Sequence, residues 1–401
     1  MNVFVARQPI FNSDKKVFAY ELLFRTGMSN AFPDIDGETA TSSLLSSSFF
    51  TTGIDNISNG NRVFINFTEE LLVRGTPTMF PEDTVVVEVL ENVPPTAAVI
   101  SACQDLKEKG YALALDDFVY QKNLVPLLKI AKFIKIDFRL TPIEEIATLI
   151  SELKQYPCSL LAEKIETYQE FQQAKDMGFS YFQGYFFARP EIIKNKEISS
   201  SQLIMMRIIC EINKTEFDVT SLETLINQDV SIIYKLLKYL NSSYFSRVQP
   251  ISSIRQAIAF LGEYGIRLFV SLIVASKLAE LKPNELIRTS MIRANVLFYI
   301  GEELKMQSND LFMLGLFSLI DAMLDNSMEN LVGQLPLVPD VKDALVERKG
   351  QLFPFLHLIE SYETGQWECL EEEIGKINMA ENKLIDFYLD AVKLADHLQA
   401  M

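Results

Sequence analysis

Carboxylates follow two short apolar segments near the middle of the N-terminal half. Leu113-Ala-Leu-Asp-Asp-Phe118 contains the adjacent residues Asp116 and Asp117, and Phe133-Ile-Lys-Ile-Asp137 ends in a further carboxylate. Each apolar run is too short for a helix and is typical of a buried parallel strand whose C-terminal end opens into a site. Two consecutive carboxylates cannot both lie in a dry core unless a cation or another positive group balances them. An isolated Asp-Asp pair is also typical of a solvated loop or a helix N-cap, so the pair alone does not establish a site.

The same arrangement recurs along the N-terminal half, where apolar or β-rich segments alternate with segments of helical spacing. The predicted strands are Phe4 to Phe11, Val17 to Phe24, Arg62 to Phe67, Thr84 to Leu90, Ala112 to Phe118, Phe133 to Asp137, Ser159 to Ala162 and Tyr181 to Ala188. The predicted helices include Pro95 to Glu108, Pro142 to Gln155 and Thr167 to Met177, which begin with Pro or Thr as helix N-termini prefer. This alternation predicts a TIM-like (β/α)8 barrel, with a modified start because only a short turn joins the first two strands.

A barrel of this type carries its chemistry at the C-terminal ends of its strands, and nearly every predicted end offers an oxygen ligand. Such charges would repel one another at one mouth, so their convergence indicates divalent metal ions. Both histidines, His357 and His397, lie in the other half of the chain. Oxygen ligands without histidine favour Mg²⁺ or Mn²⁺ over Zn²⁺. Two such ions bridged by a carboxylate are the usual apparatus for hydrolysing a phosphodiester.

Length and charge limit the remaining possibilities. The 401 residues exceed what one hydrophobic core usually supports, so two domains are expected, at 1–195 and 200–401. With 37 basic and 53 acidic residues the net charge is −16, which gives no indication of a partner made of DNA or RNA. The four cysteines lack metal-binding spacings. The most apolar window, Leu311 to Leu324, is too short to span a bilayer and contains Asp321, so a cytoplasmic protein without membrane association is expected.

The sequence motifs at the strand ends and their order along the chain resemble the EAL domain, the phosphodiesterase family that linearises the bacterial messenger cyclic di-GMP. The resemblance runs from about Ala6 to Pro190. Any one of these short motifs is weak support, whereas seven in order are strong. The motifs are Glu21-Leu-Leu-Phe-Arg25 preceded by Arg7-Gln-Pro-Ile10, then Asn66-Phe-Thr68, Glu88-Val-Leu-Glu91, Asp116-Asp-Phe118, Lys135-Ile-Asp137, Ala162-Glu-Lys-Ile-Glu166 and Gln183-Gly-Tyr185.

The resemblance implies a role for each site residue. The implied metal ligands, with Asp116 bridging two ions, are Glu21, Asn66, Glu88, Asp116 and Asp117. The implied catalytic residues are Lys135, Glu163 and Gln183. Lys135 would polarise or deprotonate the attacking water, Gln183 would help to orient it, and Glu163 would support the second ion. The implied substrate contacts are Gln8, Arg25 and Asp137, although Asp137 could simply pair with a lysine. The residues implied to brace the loop after Asp117 are Glu91 and Glu166, which could also be ordinary surface carboxylates.

Two departures from the EAL pattern concern this loop. Active EAL domains usually continue Asp-Asp-Phe with Gly-Thr-Gly, whereas this chain reads Val119-Tyr-Gln-Lys-Asn123. Losing both glycines removes the positive φ angles that they allow. Lys164 replaces the glycine between the two late glutamates and could place an amine near the metal cluster or point to solvent. The ligands are therefore expected with an altered loop geometry, and with hydrolysis that is slow, conditional or absent.

The C-terminal half has apolar residues three and four apart, with breaks at Pro, Gly, Asn or Ser, which predicts an all-α domain. Predicted helical segments are Leu203 to Glu211, Ser231 to Leu240, Ile254 to Leu261 and Ile266 to Leu281. The phrases at 227–245 and 254–262 resemble the HDOD domain, a relative of the HD phosphohydrolases associated with signalling output. In Gly315-Leu-Phe-Ser-Leu-Ile-Asp321, Ser318 and Leu319 occupy the positions of the His-Asp metal ligands. A serine and a leucine cannot replace them, so we expect a regulatory or partner-binding module with Asp321 as a helix cap or polar contact.

Two functions fit this sequence. In the first, the chain is a cyclic di-GMP phosphodiesterase that uses Mg²⁺ or Mn²⁺, forms linear pGpG and is governed by the helical domain. In the second, it is a non-catalytic receptor or scaffold whose helical domain binds a protein partner. The retained ligands favour the first and the rewritten loop favours the second. The resemblance also implies a homodimer through the barrel, although the altered loop is part of that interface.

Overall fold

The chain forms two compact units. The computed structural model describes residues 4–25, 54, 57–191, 198–214, 218–226, 230–241, 251, 253–280 and 282–399. The first unit comprises Met1–Phe187 with Ser361–Leu370, and the second comprises Ala188–Glu360 with Glu371–Met401. The first unit is built on a β-barrel, and the described residues of the second form helices joined by loops. This confirms the predicted fold class, while the limits 1–195 and 200–401 stay a prediction.

Eight strands close into the barrel in sequence order. The strands are β1 (Phe4–Asn12), β2 (Val17–Arg25), β3 (Arg62–Phe67), β4 (Val85–Val89), β5 (Ala112–Leu115), β6 (Phe133–Asp137), β7 (Ser159–Glu163) and β8 (Tyr181–Gln183). Strand β1 runs antiparallel to both of its neighbours, β2 and β8, and every other pair is parallel. The short turn after β1 produces this arrangement, because a tight turn can join only antiparallel strands. The predicted modified start is thus confirmed.

Apolar side chains fill the middle of the barrel, with one contribution from each of the first seven strands. This layer consists of Ile10, Ala19, Phe64, Val86, Ala114, Phe133 and Leu161. Tyr181 of β8 packs against it. Because side chains alternate between the two faces of a strand, the residue two positions nearer the mouth on each strand also points inward. The apolar layer therefore determines which residues form the next layer of the barrel.

Helices surround the strands of this unit: α1 (Glu69–Val73), α2 (Ala97–Glu108), α3 (Val125–Leu128), α4 (Ile143–Leu153) and α5 (Tyr168–Asp176). Helix α5 begins after Thr167, whose hydroxyl accepts a hydrogen bond from the Glu170 N–H in a capping box. The prediction that the eighth strand extends to Ala188 was wrong, because the strand ends at Gln183 and a 3₁₀ turn follows at Tyr185–Ala188. Gly184 between them has φ of 139°, and a Cβ there would lie 2.1 Å from the Ile165 carbonyl oxygen. The fifth strand likewise ends at Leu115, before the predicted Phe118.

The second unit contains the described helices α6 (Ser200–Ile212), α7 (Val219–Ile226), α8 (Val230–Leu240), α9 (Ile254–Leu278), α10 (Asn284–Leu304), α11 (Ser308–Phe317), α12 (Ile320–Leu324), α13 (Met328–Gly333), α14 (Pro339–Lys342), α15 (Phe353–Thr364), α16 (Trp367–Ile377) and α17 (Glu381–Gln399). A π-helical turn at Asp343–Glu347 follows α14. Helices α15 and α16 supply the segment Ser361–Leu370, which belongs to the first unit. Residues 227–229 and 242–245 of the motif at 227–245 lie outside the described residues.

Helix α9 joins two segments that were predicted separately. Its backbone leaves helical geometry at Gly262, where φ is 70°. By length and composition α9 is the described helix that could cross a membrane. The window that the sequence analysis singled out as most apolar, Leu311 to Leu324, lies elsewhere. However, 56% of the most apolar window of α9 is buried. A helix that is apolar around much of its circumference and buried by its neighbours is typical of a protein core.

Candidate active site

A layer of polar side chains lies directly above the apolar layer of the barrel. It consists of Gln8, Glu21, Asn66, Glu88, Asp116, Lys135, Glu163 and Gln183. Each residue lies two positions from an inward apolar residue of its own strand, and strand alternation therefore brings all eight to the barrel axis. The paired registers agree, since Gln8 lies opposite Glu21 and Asn66 opposite Glu88. Eight sequence-predicted site residues are thus brought together at one mouth.

Lys135 occupies the centre of this layer, with its side chain 1% exposed. Its Nζ lies 2.8 Å from both Asp116 Oδ1 and Glu163 Oε1, and 3.3 Å from Glu21 Oε2. It also forms an ion pair with Glu88, which is fully buried. One ammonium therefore faces four carboxylates.

Amide side chains hold the Glu21 carboxylate in place. Asn66 Nδ2 donates to Glu21 Oε1 at 3.1 Å, and Gln183 Nε2 donates to Glu21 Oε2 at 2.7 Å. Gln183 Nε2 also donates to Gln8 Oε1 at 3.0 Å. Because amide donors satisfy both carboxylate oxygens, Glu21 is oriented without adding positive charge to the site.

The charges at the mouth shift one another's pKa values. Burial alone would lower the pKa of the Lys135 ammonium, but the four carboxylates around it raise this pKa well above its usual range. For Asp116, burial opposes ionisation, yet the Lys135 charge and hydrogen bonds hold its pKa below the usual value. Burial, reinforced by Asp116, raises the pKa of the Asp117 carboxyl. Lys135 thus stays protonated and still cannot neutralise every carboxylate near it.

Several buried oxygen atoms of this layer have no hydrogen-bond partner among the described residues. They are Asn66 Oδ1, Glu88 Oε2, Asp117 Oδ1, Glu163 Oε2 and Gln183 Oε1. A buried polar atom without a partner is costly, and oxygens that converge in this way are suitable ligands for a hard divalent cation. The residues present therefore fit the metal ions implied by the EAL resemblance.

Asp116, Asp117 and Glu163 form a second group beside Lys135. One oxygen from each lies within 4.8 Å of the others, so the three could hold one cation. Asp117 has φ of 39°, a left-handed conformation that aspartate tolerates better than most residues and that turns the chain after β5. The rewritten sequence after Phe118 therefore still allows both carboxylates to lie at the mouth.

The remaining predicted residues occupy separate positions. Asp137 is buried, and its carboxylate accepts hydrogen bonds from the backbone N–H groups of Arg139 and Leu140 and pairs with Lys164. Glu91 lines a cavity of about 240 Å³ together with Asp116, Asp117 and other residues. Glu166 Oε1 lies 3.5 Å from Arg139 Nε. Arg25 ends β2, and its side chain lies outside the described residues.

Ser318 and Leu319 of the second unit, which occupy the HD position of the His-Asp metal ligands in HD phosphohydrolases, do not form a metal ligand pair. Ser318 Oγ accepts a hydrogen bond from Arg293 Nη1 at 3.1 Å and donates to the Gly315 carbonyl oxygen at 2.7 Å. Leu319 is buried. Asp321 lies in the first turn of α12, where its carboxylate accepts a hydrogen bond from the Ala322 N–H, and burial raises the pKa of this carboxyl to about 6. The site positions are thus occupied by a polar contact and a core residue.

One feature of the site had no signal in the sequence. Gln8 Nε2 donates to the carbonyl oxygen of Glu363, at 3.4 Å, although the two residues are 355 positions apart. Tyr362 donates to the Val5 carbonyl oxygen at 3.1 Å, so segment 361–370 lies along β1. A backbone acceptor could be any residue, and the motif pattern therefore could not predict this contact.

A closed barrel with one antiparallel strand and an acidic mouth, together with a helical unit, is the arrangement that the sequence predicts for an EAL protein with an HDOD region, and comparison with known proteins shows that the chain belongs to this family. Residues 51–190 match the model of the EAL domain and residues 198–332 that of the HDOD domain. The chain is 41% identical to cyclic di-GMP phosphodiesterase CdgJ of Vibrio cholerae, over 92% of this chain and 87% of that protein. It is 36% identical to the uncharacterized protein YuxH of Bacillus subtilis, over 99% of each.

Among solved structures, the chain is similar to the Bacillus subtilis YkuI protein, which has an EAL domain and was solved with cyclic di-GMP and calcium. That similarity has a TM-score of 0.37 and 18% identity, and covers 66% of this chain and 73% of that one. The matched EAL span begins at residue 51, after β2. The placement of Gln8 and Glu21 in the site therefore depends on the barrel geometry described above.

Proposed function

We propose that the barrel binds cyclic di-GMP and hydrolyses one of its phosphodiester bonds to give linear pGpG, using two divalent ions, Mg²⁺ or Mn²⁺. The named activity of CdgJ supports this substrate, since this chain is 41% identical to it. The observation that carries the proposal is the layer of eight inward polar residues, in which several buried oxygens have no hydrogen-bond partner in the part of the chain that the structure describes. No packing requirement explains such a layer, because apolar residues would fill the same positions at lower cost.

Metal binding divides the ligands into two groups that share one residue. Glu21, Asn66, Glu88 and Asp116 would hold the first ion, and Asp116, Asp117 and Glu163 would hold the second. When bound, the two ions supply positive charge on both sides of the reacting phosphate, which stabilises the attacking and leaving oxygens. The acidic mouth thereby becomes a site that accepts an anionic substrate.

The chain's own residues position the reacting groups. The Lys135 side chain lies between Asp116 and Glu163, where it would polarise the attacking water or, once deprotonated, take up its proton. Gln183 orients the same water through its amide. Gln8, Arg25 and Asp137 contact the nucleotide, while Glu91 and Glu166 brace the loop after Asp117.

The proposal is tested with purified chain, cyclic di-GMP and Mn²⁺ or Mg²⁺, compared with Glu21→Ala and Lys135→Ala. We expect linear product from the parent and none from either variant. Asp83→Ala is the matched control, because this exposed carboxylate precedes β4 at the opposite end of the barrel. Normal turnover by Glu21→Ala, or lost turnover in Asp83→Ala, would contradict the proposed site.

A second candidate function is a non-catalytic receptor for cyclic di-GMP. The loop after Asp117 favours it, because Val119 is 63% exposed and the segment Val119–Asn123 contains no glycine. The same experiment separates the two functions. Tight binding of cyclic di-GMP by the parent and both variants, without product, identifies a receptor.

We also propose that the helical unit regulates the barrel or binds a protein partner, since its HD position holds Ser318 and Leu319 in place of metal ligands. The protein would act in the cytoplasm, as a homodimer or alone, without binding nucleic acid. Sedimentation of the full chain with and without cyclic di-GMP tests the dimer. A single species with the mass of one chain under both conditions excludes it.

A further inference from the structure

Lys164 places a positive charge beside the proposed second metal site. It follows the ligand Glu163 and has φ of 54°, in the left-handed region. Its side chain is 54% exposed, so its position is not imposed by core packing. A non-glycine residue in this conformation costs about 1 kcal/mol or more, which the surrounding contacts must offset.

Contacts on two carboxylates direct the Lys164 ammonium towards the mouth. It forms an ion pair with Asp137, and its Nζ lies 4.0 Å from Asp117 Oδ2. Asp137 is 2% exposed and is fixed independently by two backbone N–H groups. The lysine is therefore anchored on a rigid carboxylate, with its charge next to a second one.

Asp117 connects this lysine to the metal cluster. Its Oδ2 faces Lys164, while its buried Oδ1 has no hydrogen-bond partner among the described residues. Asp117 is also one of the three residues, with Asp116 and Glu163, whose oxygens lie within 4.8 Å of one another. A cation held by these three would thus share the Asp117 carboxylate with the ammonium.

We propose that Lys164 acts as a built-in competing cation that weakens the second divalent ion, so that the two ions bind with unequal affinity. The inference rests on the proposed function for its two ions, but not on hydrolysis. A charge several ångströms from a divalent ion opposes its binding, and partial exposure to solvent reduces the effect. We therefore expect the second dissociation constant to change by about tenfold when the charge is removed.

The test is a Mn²⁺ titration of the full chain without nucleotide, with free Mn²⁺ followed by electron paramagnetic resonance. The parent is expected to bind two ions, one tightly and one weakly. Lys164→Asn removes the charge and keeps a residue that tolerates positive φ, and it should tighten the weaker ion by about tenfold. Lys164→Gln should do the same, whereas Lys164→Arg should leave both affinities unchanged.

Lys154→Asn controls for the change in net charge, because this exposed lysine caps the C-terminus of α4 and contacts none of the ligands. It should leave both affinities as in the parent. Three results would overturn the inference. The weaker Mn²⁺ ion could bind the parent and Lys164→Asn with the same affinity, every variant could bind only one ion, or Lys164→Arg could show the same gain as Lys164→Asn. Because the readout is metal binding, failure of hydrolysis would not affect the result.

Discussion

The barrel mouth and the helical unit handle buried charge in different ways. At the mouth, Lys135 faces four carboxylates, and several ligand oxygens have no partner among the described residues. In the helical unit, three arginines, two of them buried and one half-exposed, face three carboxylates. These groups are Arg288 with Glu285 and Asp396, and Arg293 and Arg348 with Glu360.

This difference separates a binding site from a structural network. An excess of buried carboxylates is stable only if protons or cations compensate it. The mouth therefore requires positive charge beyond that of Lys135. The three arginines Arg288, Arg293 and Arg348 are matched in number by the carboxylates that they face, and Ser318 is satisfied by Arg293 and a backbone carbonyl. The comparison therefore supports the proposals of metal chemistry in the barrel and of a regulatory or partner-binding role for the helical unit.

The largest expected effect concerns activity. Glu88→Gln keeps the volume of a buried side chain but removes the charge needed at the first ion, so hydrolysis of cyclic di-GMP should fall on the order of a thousandfold. Asp321→Asn makes the same chemical change in the helical unit and should leave the rate unchanged. Product formation measured by chromatography checks both. Comparable losses in the two variants would break the distinction between the regions.

Removing a buried basic side chain should lower the stability of either region, but metal should restore the lost stability only in the barrel. Lys135→Met leaves buried carboxylates uncompensated, and Arg288→Met does so in the helical unit, so each should lower the free energy of unfolding by about 3–5 kcal/mol in chelator. Mn²⁺ should restore much of the stability of Lys135→Met, because an ion that binds only the folded state stabilises it. Thermal unfolding with and without Mn²⁺ measures this, and equal rescue of Arg288→Met would contradict the comparison.

Much of the mouth was predictable because strand periodicity and chemistry coincide there. An alternation of short apolar runs and helical segments predicted the barrel, and placing polar residues at strand ends predicted the convergence of Glu21, Asn66, Glu88 and Asp116. Both inferences depend on local pattern alone. The family resemblance added roles for these residues, which geometry at the mouth supports but does not test.

Other features depend on contacts that no local pattern encodes. The end of β8 at Gln183 follows from the approach of Gly184 to the Ile165 backbone, and an apolar, aromatic sequence after it still resembled a strand. Segment 361–370 is helical in pattern, yet it belongs to the barrel unit through Tyr362 and the Glu363 carbonyl. The direction of the Lys164 side chain also required the positions of Asp117 and Asp137.

Replacing one glycine by alanine in each unit tests how well that unit accommodates an added methyl group. At Gly184 in the barrel, φ is 139° and a Cβ would lie 2.1 Å from the Ile165 oxygen, so Gly184→Ala should cost about 3 kcal/mol or more. At Gly375 in α16 a Cβ would meet no atom within 4 Å, and Gly375→Ala should stabilise the helix by about 0.5–1 kcal/mol. Denaturant unfolding measures both. A neutral Gly184→Ala would show that the turn after β8 can relax.

A comparably small effect is the pH dependence that one carboxyl group of the helical unit contributes. Burial raises the pKa of the Asp321 carboxyl from 3.8 to about 6, so the folded state binds this proton more tightly than the unfolded state does. Stability from this group is complete below pH 3.8 and declines as pH rises through 6, which amounts to about 1 kcal/mol between pH 5 and pH 8. Asp321→Asn lacks the titrating group while keeping an oxygen acceptor for the Ala322 N–H. Relative to the parent, it should therefore gain stability as pH rises over this range, and unfolding at both pH values in chelator checks the difference. Because chelator removes metal from the barrel mouth, a parallel change in the two proteins would place the titration elsewhere in the chain.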